Sequence, residues 1–135
     1  MDWRLLFVCV ENSNRSQMAE ALARLRGGAR VEAWSAGSRP SGAVHPKAIE
    51  AMGELGYDLT RHVSKSLDDL PAGRFDAVVT MGCGDACPSV PAVLREDWAL
   101  PDPRDLGPEA FRAVRDEIDA RVRDLLARLA TEVPR

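Results

Sequence analysis

The sequence predicts an α/β fold: one three-layer sandwich, a parallel sheet between layers of helix, over residues 1–135 as a single domain. Three observations predict it. Leu5-Leu6-Phe7-Val8-Cys9-Val10 and Ala77-Val78-Val79-Thr80-Met81 are continuous apolar runs, the pattern of central parallel strands buried on both faces. Segments of helical periodicity alternate with these runs, which implies crossover connections. The length of 135 residues is that of one domain.

The elements follow in order. The first strand spans Leu5 to Val10. From Arg15 to Arg26, Met18, Ala21, Leu22 and Leu25 recur at helical spacing, and Gly27-Gly28 stops the helix. Val31 to Ala36 is a short strand closed by Gly37. Pro46 to Leu55 reads as a helix with Ile49, Met52 and Leu55 on one face and Gly56 as its stop. Asp76 to Met81 is the second core strand. From Glu109 to Leu129, Phe111, Val114, Ile118, Val122, Leu125, Leu126 and Leu129 form one apolar stripe. Glu117/Arg121 and Asp124/Arg128 place acid before base at i,i+4 on the solvated face. No internal repeat or low-complexity tract interrupts the pattern.

Composition excludes several classes. Apolar residues are 45% and charged residues 29%, a balance that sustains a packed core rather than disorder. A net charge of −3 argues against a nucleic-acid-coating protein but not against a local pocket for a small anion. No apolar run approaches the roughly 20 residues of a membrane span, and Leu5 to Val10 is too short for a secretory signal core. The expectation is a cytoplasmic protein, without membrane or nucleic-acid partners, and a monomer. Three cysteines cannot all pair within one chain, and cytosolic thiols stay reduced, so they are expected to be chemical rather than structural.

Ligands of such sheets bind at the carboxyl ends of strands. The first strand end reads Cys9-Val10-Glu11-Asn12-Ser13-Asn14-Arg15-Ser16: a Cys, five residues, an Arg, a Ser, then a helix. This spacing builds an oxyanion cradle. Backbone amides from Val10 to Asn14 line it as a nest, the helix adds its positive end, and Arg15 supplies a planar fork for two oxygens of a tetrahedral anion. The same field stabilises a thiolate, making Cys9 a nucleophile. Ser16 is placed to donate to that thiolate, and Asn12 to brace the loop.

Cys9 to Glu20, CVENSNRSQMAE, resembles the low-molecular-weight tyrosine phosphatase superfamily, and more closely the arsenate reductases built on that fold. The resemblance continues through Ser35-Ala36-Gly37, His45 to Ile49, Arg61 to Lys65, Val78 to Met81 and Trp98 to Pro103, and so covers nearly the whole chain in order. It implies a four-stranded parallel sheet and reduction of arsenate to arsenite for arsenic detoxification, with phosphate and sulfate as competing oxyanions and no organic cofactor. The alternative it leaves is a tyrosine phosphatase acting through a phospho-enzyme on Cys9. Phosphatases of this fold line the pocket with aromatics; the loop here has none, and Glu11 would repel acidic phosphopeptides. Asn14 stands where members of the resembling families more often carry a small residue or Cys.

Cys83 and Cys87 follow the second core strand in GCGDACP, on the same rim as Cys9. Zinc would need a further ligand pair, which neither His45 nor His62 supplies, so no metal is expected. The resemblance implies a relay: Cys9 attacks arsenic, Cys83 attacks Cys9, Cys87 attacks Cys83, and thioredoxin reduces the resulting disulfide. The inserted Gly82 and the short Cys83–Cys87 spacing depart from the familiar thioredoxin-coupled pattern and resemble reductases that use a small thiol such as mycothiol or bacillithiol. The reductant stays open between the two.

Trp98-Ala99-Leu100-Pro101-Asp102-Pro103 holds an Asp between two prolines. The Asp of an Asp-Pro pair is the general acid in the resembling families, and Asp102 matches it; Asp105 reads as turn chemistry. His45 is expected at a helix start and His62 in a structural hydrogen bond. Some relatives bind potassium through residues matched by Asn12, Glu20 and Ser35. Val63 and Lys65 stand where those relatives have further oxygen ligands, so the Lys65 ammonium is expected in place of the ion.

Overall fold

A computed structural model of the chain describes residues 2–81 and 90–133. Four strands, β1 (Trp3–Val8), β2 (Val31–Ala36), β3 (Phe75–Thr80) and β4 (Ala92–Asp97), form one parallel sheet in the order β2-β1-β3-β4. The helices are α1 (Arg15–Gly27), α2 (Pro46–Gly53) and α3 (Pro108–Glu132), with single 3-10 turns at Gly28–Arg30, Leu59–Arg61 and Leu67–Asp69.

Strand pleating divides the core. Leu5, Phe7, Ala33, Ala77 and Val79 face one side and pack with Met18 and Leu22 of α1, Met52 of α2 and Phe111, Ile118 and Leu125 of α3. Leu6, Val8, Ala36 and Val78 face the other side, where Phe75 at the start of β3 also packs, against Trp34, Leu67, Leu70, Val90 and Ala92. Both faces of β1 and β3 are therefore dry, which is why these strands read as unbroken apolar runs.

Boundaries differ from the sequence expectation where the backbone turns. β1 stops at Val8, and Cys9 and Val10 already belong to the loop, although the Cys9 amide still bonds Ala36 O at 3.3 Å. α2 ends at Gly53 rather than Leu55, and α3 extends to Pro108 and Glu132. α1 closes at Gly28, whose φ of +56° suits glycine and lets its N–H reach Arg24 O. β4 was not located from sequence. It is an edge strand with alternating half-buried and exposed residues, so Arg95, Glu96 and Asp97 break the apolar signal.

The strand order places the site. The chain leaves β1 toward β2 on one side, and β3 and β4 add on the other. The switch point lies between the carboxyl ends of β1 and β3, the place where open parallel sheets leave a crevice. Cys9 follows one of these strands and Met81 the other; Met81 N bonds Val8 O at 3.0 Å.

Candidate active site

The loop from Cys9 to Asn14 is held from outside by a belt formed by residues 37–45. Arg39 N bonds Val10 O at 2.8 Å, Ser41 N bonds Glu11 O at 3.0 Å, and His45 N bonds Ser13 O at 2.8 Å. A trans peptide points its N–H opposite to its C=O. The amides of Glu11, Asn12 and Asn14 therefore point away from the belt, which gives the loop its anion-binding polarity. Asn12 is the one non-glycine residue among the described residues with a left-handed backbone, φ +49°; Asn tolerates that conformation better than most side chains. Gly37 was read only as a strand stop and a motif residue. A Cβ there would lie 2.8 Å from Cys9 O and 3.0 Å from Asn12 N, so the belt approaches the cradle this closely only with glycine.

Cys9 is 4% exposed at the floor of a cavity of about 140 Å³ lined by Val10, Glu11, Ser13, Asn14, Arg15, Asp102 and Arg104. Its sulfur lies 2.9 Å from Ser16 Oγ. Asn12 Nδ2 donates to that same hydroxyl at 2.8 Å, which leaves the hydroxyl proton for sulfur. Asn12 braces more than its own loop: its Oδ1 accepts from Lys65 N at 2.7 Å and Gln17 Nε2 at 2.8 Å.

Arg15 is clamped between two segments. Its Nη1 donates to Met81 O at 2.8 Å, after β3, and to Leu100 O at 2.7 Å, in the loop after β4. Its Nε is buried and has no hydrogen-bond partner among the described residues. Such a donor costs about 1–3 kcal/mol unless something fills it, and it belongs to a side chain that lines the cavity above Cys9.

Asp102 sits at the mouth, its Oδ2 4.0 Å from Arg15 Nη2. Arg104 N donates to Asp102 Oδ1 at 3.0 Å, and Asn14 Nδ2 donates to the same oxygen at 3.1 Å. The Arg104 guanidinium pairs with Glu11 across the rim, and that hydrogen bond holds the guanidinium above its usual range. The negative charge of Glu11 is thus neutralised at the entrance, a partner not anticipated from sequence. Among the described residues no aromatic side chain lines this cavity. Cys83 and Cys87 lie outside the described residues.

Behind the loop, His62 is held neutral: burial lowers its affinity for a proton more than the neighbouring Glu20 raises it. Gln17 donates to Asn12 and to Val63 O, so its Oε1 is an acceptor for His62 Nδ1 at 2.9 Å. His62 Nε2 is then an acceptor for the Tyr57 hydroxyl at 2.6 Å. His45 caps α2, its Nδ1 accepting from Lys47 N at 3.1 Å. His45 thus stands at a helix start and His62 in a hydrogen-bond chain, the positions their sequence contexts suggested. Glu20, 2% exposed, accepts from Ser35 Oγ at 2.5 Å and faces Arg24 Nη2 at 2.7 Å and Lys65 Nζ at 3.7 Å. With two cations on one carboxylate, these residues do not fit a potassium ion as well.

A buried cysteine hydrogen-bonded to a serine, an arginine whose Nε has no partner among the described residues and a carboxyl share one small cavity at the sheet's switch point, an arrangement suited to a cysteine-dependent enzyme acting on a small anion. The low molecular weight phosphotyrosine protein phosphatase family matches residues 4–135, and the chain belongs to that family. It is 38% identical over 130 residues to a glutaredoxin arsenate reductase of Synechocystis sp., covering 94% of this chain and 98% of that one. A solved arsenate reductase in the phosphate binding state superposes with a TM-score of 0.86 at 38% identity, covering 95% of this chain and 98% of that one. A thioredoxin-dependent arsenate reductase of Corynebacterium glutamicum superposes with a TM-score of 0.78 at 36% identity, covering 96% of this chain and 63% of that one.

Proposed function

We propose that this protein reduces arsenate to arsenite, with Cys9 as nucleophile, Arg15 and the amides from Val10 to Asn14 as the oxyanion holder, and Asp102 as the general acid. The observation that carries this reading is a buried Arg15 Nε with no hydrogen-bond partner among the described residues, in the cavity that also holds a Cys9 sulfur hydrogen-bonded to Ser16. The cradle matches a tetrahedral anion in charge and shape, and the relatives reported above act on arsenate.

The chemistry follows from the groups. The Cys9 thiolate attacks As(V), and one arsenate oxygen leaves as water, taking a proton from Asp102. Release of arsenite needs a second thiol. Cys83 attacks the Cys9 sulfur, an S–S bond forms, and the electron pair of the As–S bond passes to arsenic, which departs as As(III). Cys87 attacks Cys83 and frees the Cys9 thiolate. What supports this relay is the count of three cysteines and the start of their segment one residue after Met81, whose carbonyl holds Arg15. The reductant of the Cys83–Cys87 disulfide is thioredoxin, glutaredoxin or a small cellular thiol; the relatives' names point to more than one. We place the enzyme in the cytoplasm; no helix among the described residues is long and apolar enough to cross a membrane.

The test is arsenate turnover measured with thioredoxin, with glutaredoxin and with mycothiol, beside hydrolysis of an aryl phosphate. Arsenite production far above phosphate release supports the reading, and the reverse overturns it. In Cys87→Ser, one turnover should trap a Cys9–Cys83 disulfide, detected by mass spectrometry of a digest. A Cys83→Ser enzyme that turns over normally with a small thiol would remove the internal relay.

A further inference from the structure

Asn14 lies in the loop directly before Arg15, and both ends of its side-chain amide are held by protein partners. It is 3% exposed and spans two elements. Its Oδ1 accepts from Arg15 N and caps α1, and its Nδ2 donates to Asp102 Oδ1 at 3.1 Å. The amide cannot be turned round: one end faces a backbone N–H and needs an oxygen, the other faces a carboxyl oxygen and needs a donor. Asp102 Oδ1 also receives Arg104 N at 3.0 Å. Two N–H donors occupy that oxygen. Oδ2 is the one left toward the cavity, 4.0 Å from Arg15 Nη2.

We propose that Asn14 is a positioning residue for the acid: it ties the Asp102 loop to the start of α1, dedicates Oδ1 as an anchor, and leaves Oδ2 as the oxygen that carries the proton to the departing arsenate oxygen. This rests on the general-acid reading of Asp102. In the step itself the Oδ2–H bond breaks, the proton joins the leaving oxygen, water departs, and Asp102 is left as a carboxylate whose Oδ1 contacts are unchanged. Without the Asn14 amide the acid loop is still held by Arg15 at Leu100 O and by the Glu11–Arg104 pair, but the Asp102 carboxyl itself loses its bond to the nucleophile loop. The carboxyl then samples orientations in which Oδ1 and Oδ2 exchange roles.

The test uses Asn14→Ser, which keeps a good cap for α1 but is too short to reach Asp102, and Asn14→Asp, which keeps the cap and loses the donor. In single-turnover arsenate reduction, the rate of the first step should fall about 10- to 100-fold, the scale of misplacing a catalytic group by an ångström. In Asn14→Ser the arsenate KM and the phosphate Kd should stay within about threefold, because the loop's backbone amides and the Arg15 side chain are kept; Asn14→Asp adds a carboxylate beside Asp102 to the cavity lining and should weaken both. In an Asp102→Asn background the Asn14 substitutions should have little further effect, since residues acting as a unit are not additive. An undiminished first-step rate in both Asn14 variants overturns the proposal. So does an equal loss in the Asp102→Asn background, which would place the effect in the cradle. If Asp102→Asn alone leaves the rate unchanged, it is the acid assignment that fails, a result separate from either.

Discussion

The hydroxyl of Ser16 lies 2.9 Å from the sulfur of Cys9, and it is oriented by the Asn12 amide rather than by chance rotation. Ser16 sits in the first turn of α1 beside Arg15, so the start of that helix carries both the hydroxyl that meets Cys9 and an arginine that lines the same cavity. Ser16→Ala should therefore slow alkylation of Cys9 by iodoacetamide at neutral pH and slow arsenate turnover, each by about tenfold, the worth of one charge-assisted hydrogen bond of roughly 1.5 kcal/mol. Cys9→Ser should abolish turnover while far-UV circular dichroism stays native. Retention of a substantial rate in Cys9→Ser would show that another thiol attacks arsenic.

Gly37→Ala puts a methyl group against the cradle backbone, 2.8 Å from Cys9 O. Backbone on both sides cannot yield as a side-chain end does. We expect a loss of about 1–3 kcal/mol in stability, read from urea midpoints, together with a weakened phosphate affinity measured by calorimetry. A variant that loses stability but binds phosphate normally would mean that the belt, not the cradle, absorbs the strain.

His62 provides a stability effect with a definite sign. Its folded-state proton affinity lies below the ordinary value of 6.5, mainly because it is buried. As pH falls through about 6.5 the unfolded chain takes up a proton that the folded chain refuses, so stability should be full above that pH and decline below it. His62→Gln should remove this part of the slope in urea midpoints taken from pH 7.5 to 5.5. Glu54, held down to about 2 by hydrogen bonds from Arg112 and Arg115, together with Glu96 beside Arg128 and Asp119 beside Arg26, acts in a lower window. These carboxylates add stability that is present above the ordinary carboxylate range and is lost as pH falls toward their depressed values.

Phosphate and sulfate should raise the melting temperature of the wild-type protein, because a ligand that binds only the folded state stabilises it by RT ln(1 + [L]/Kd), about 2.7 kcal/mol at 100 times Kd. Arg15→Lys should lose most of that shift: an ammonium cannot keep the bonds to Met81 O and Leu100 O and still present a second donor to the anion. An Arg15→Lys protein with the wild-type shift would place the binding elsewhere.

By itself the sequence determined what depends on local pattern. Apolar runs fixed β1 and β3 because both faces of those strands are buried, and the stripe from Phe111 to Leu129 fixed α3 because only one face is. The Cys9-to-Ser16 spacing was legible because a nest and a helix start are made by consecutive residues. What tertiary structure decided is whatever joins distant segments. β4 has no sequence signal strong enough, since an edge strand half in water alternates weakly. The need for glycine at Gly37 comes from a belt folded against Cys9 and Asn12. The clamp of Arg15 on Met81 and Leu100, the pairing of Glu11 with Arg104 and the Asn14 bond to Asp102 each span from 66 to 93 positions along the chain. Spacing carries no trace of such contacts; only the packing of the β3 and β4 ends beside β1 brings them within hydrogen-bond reach.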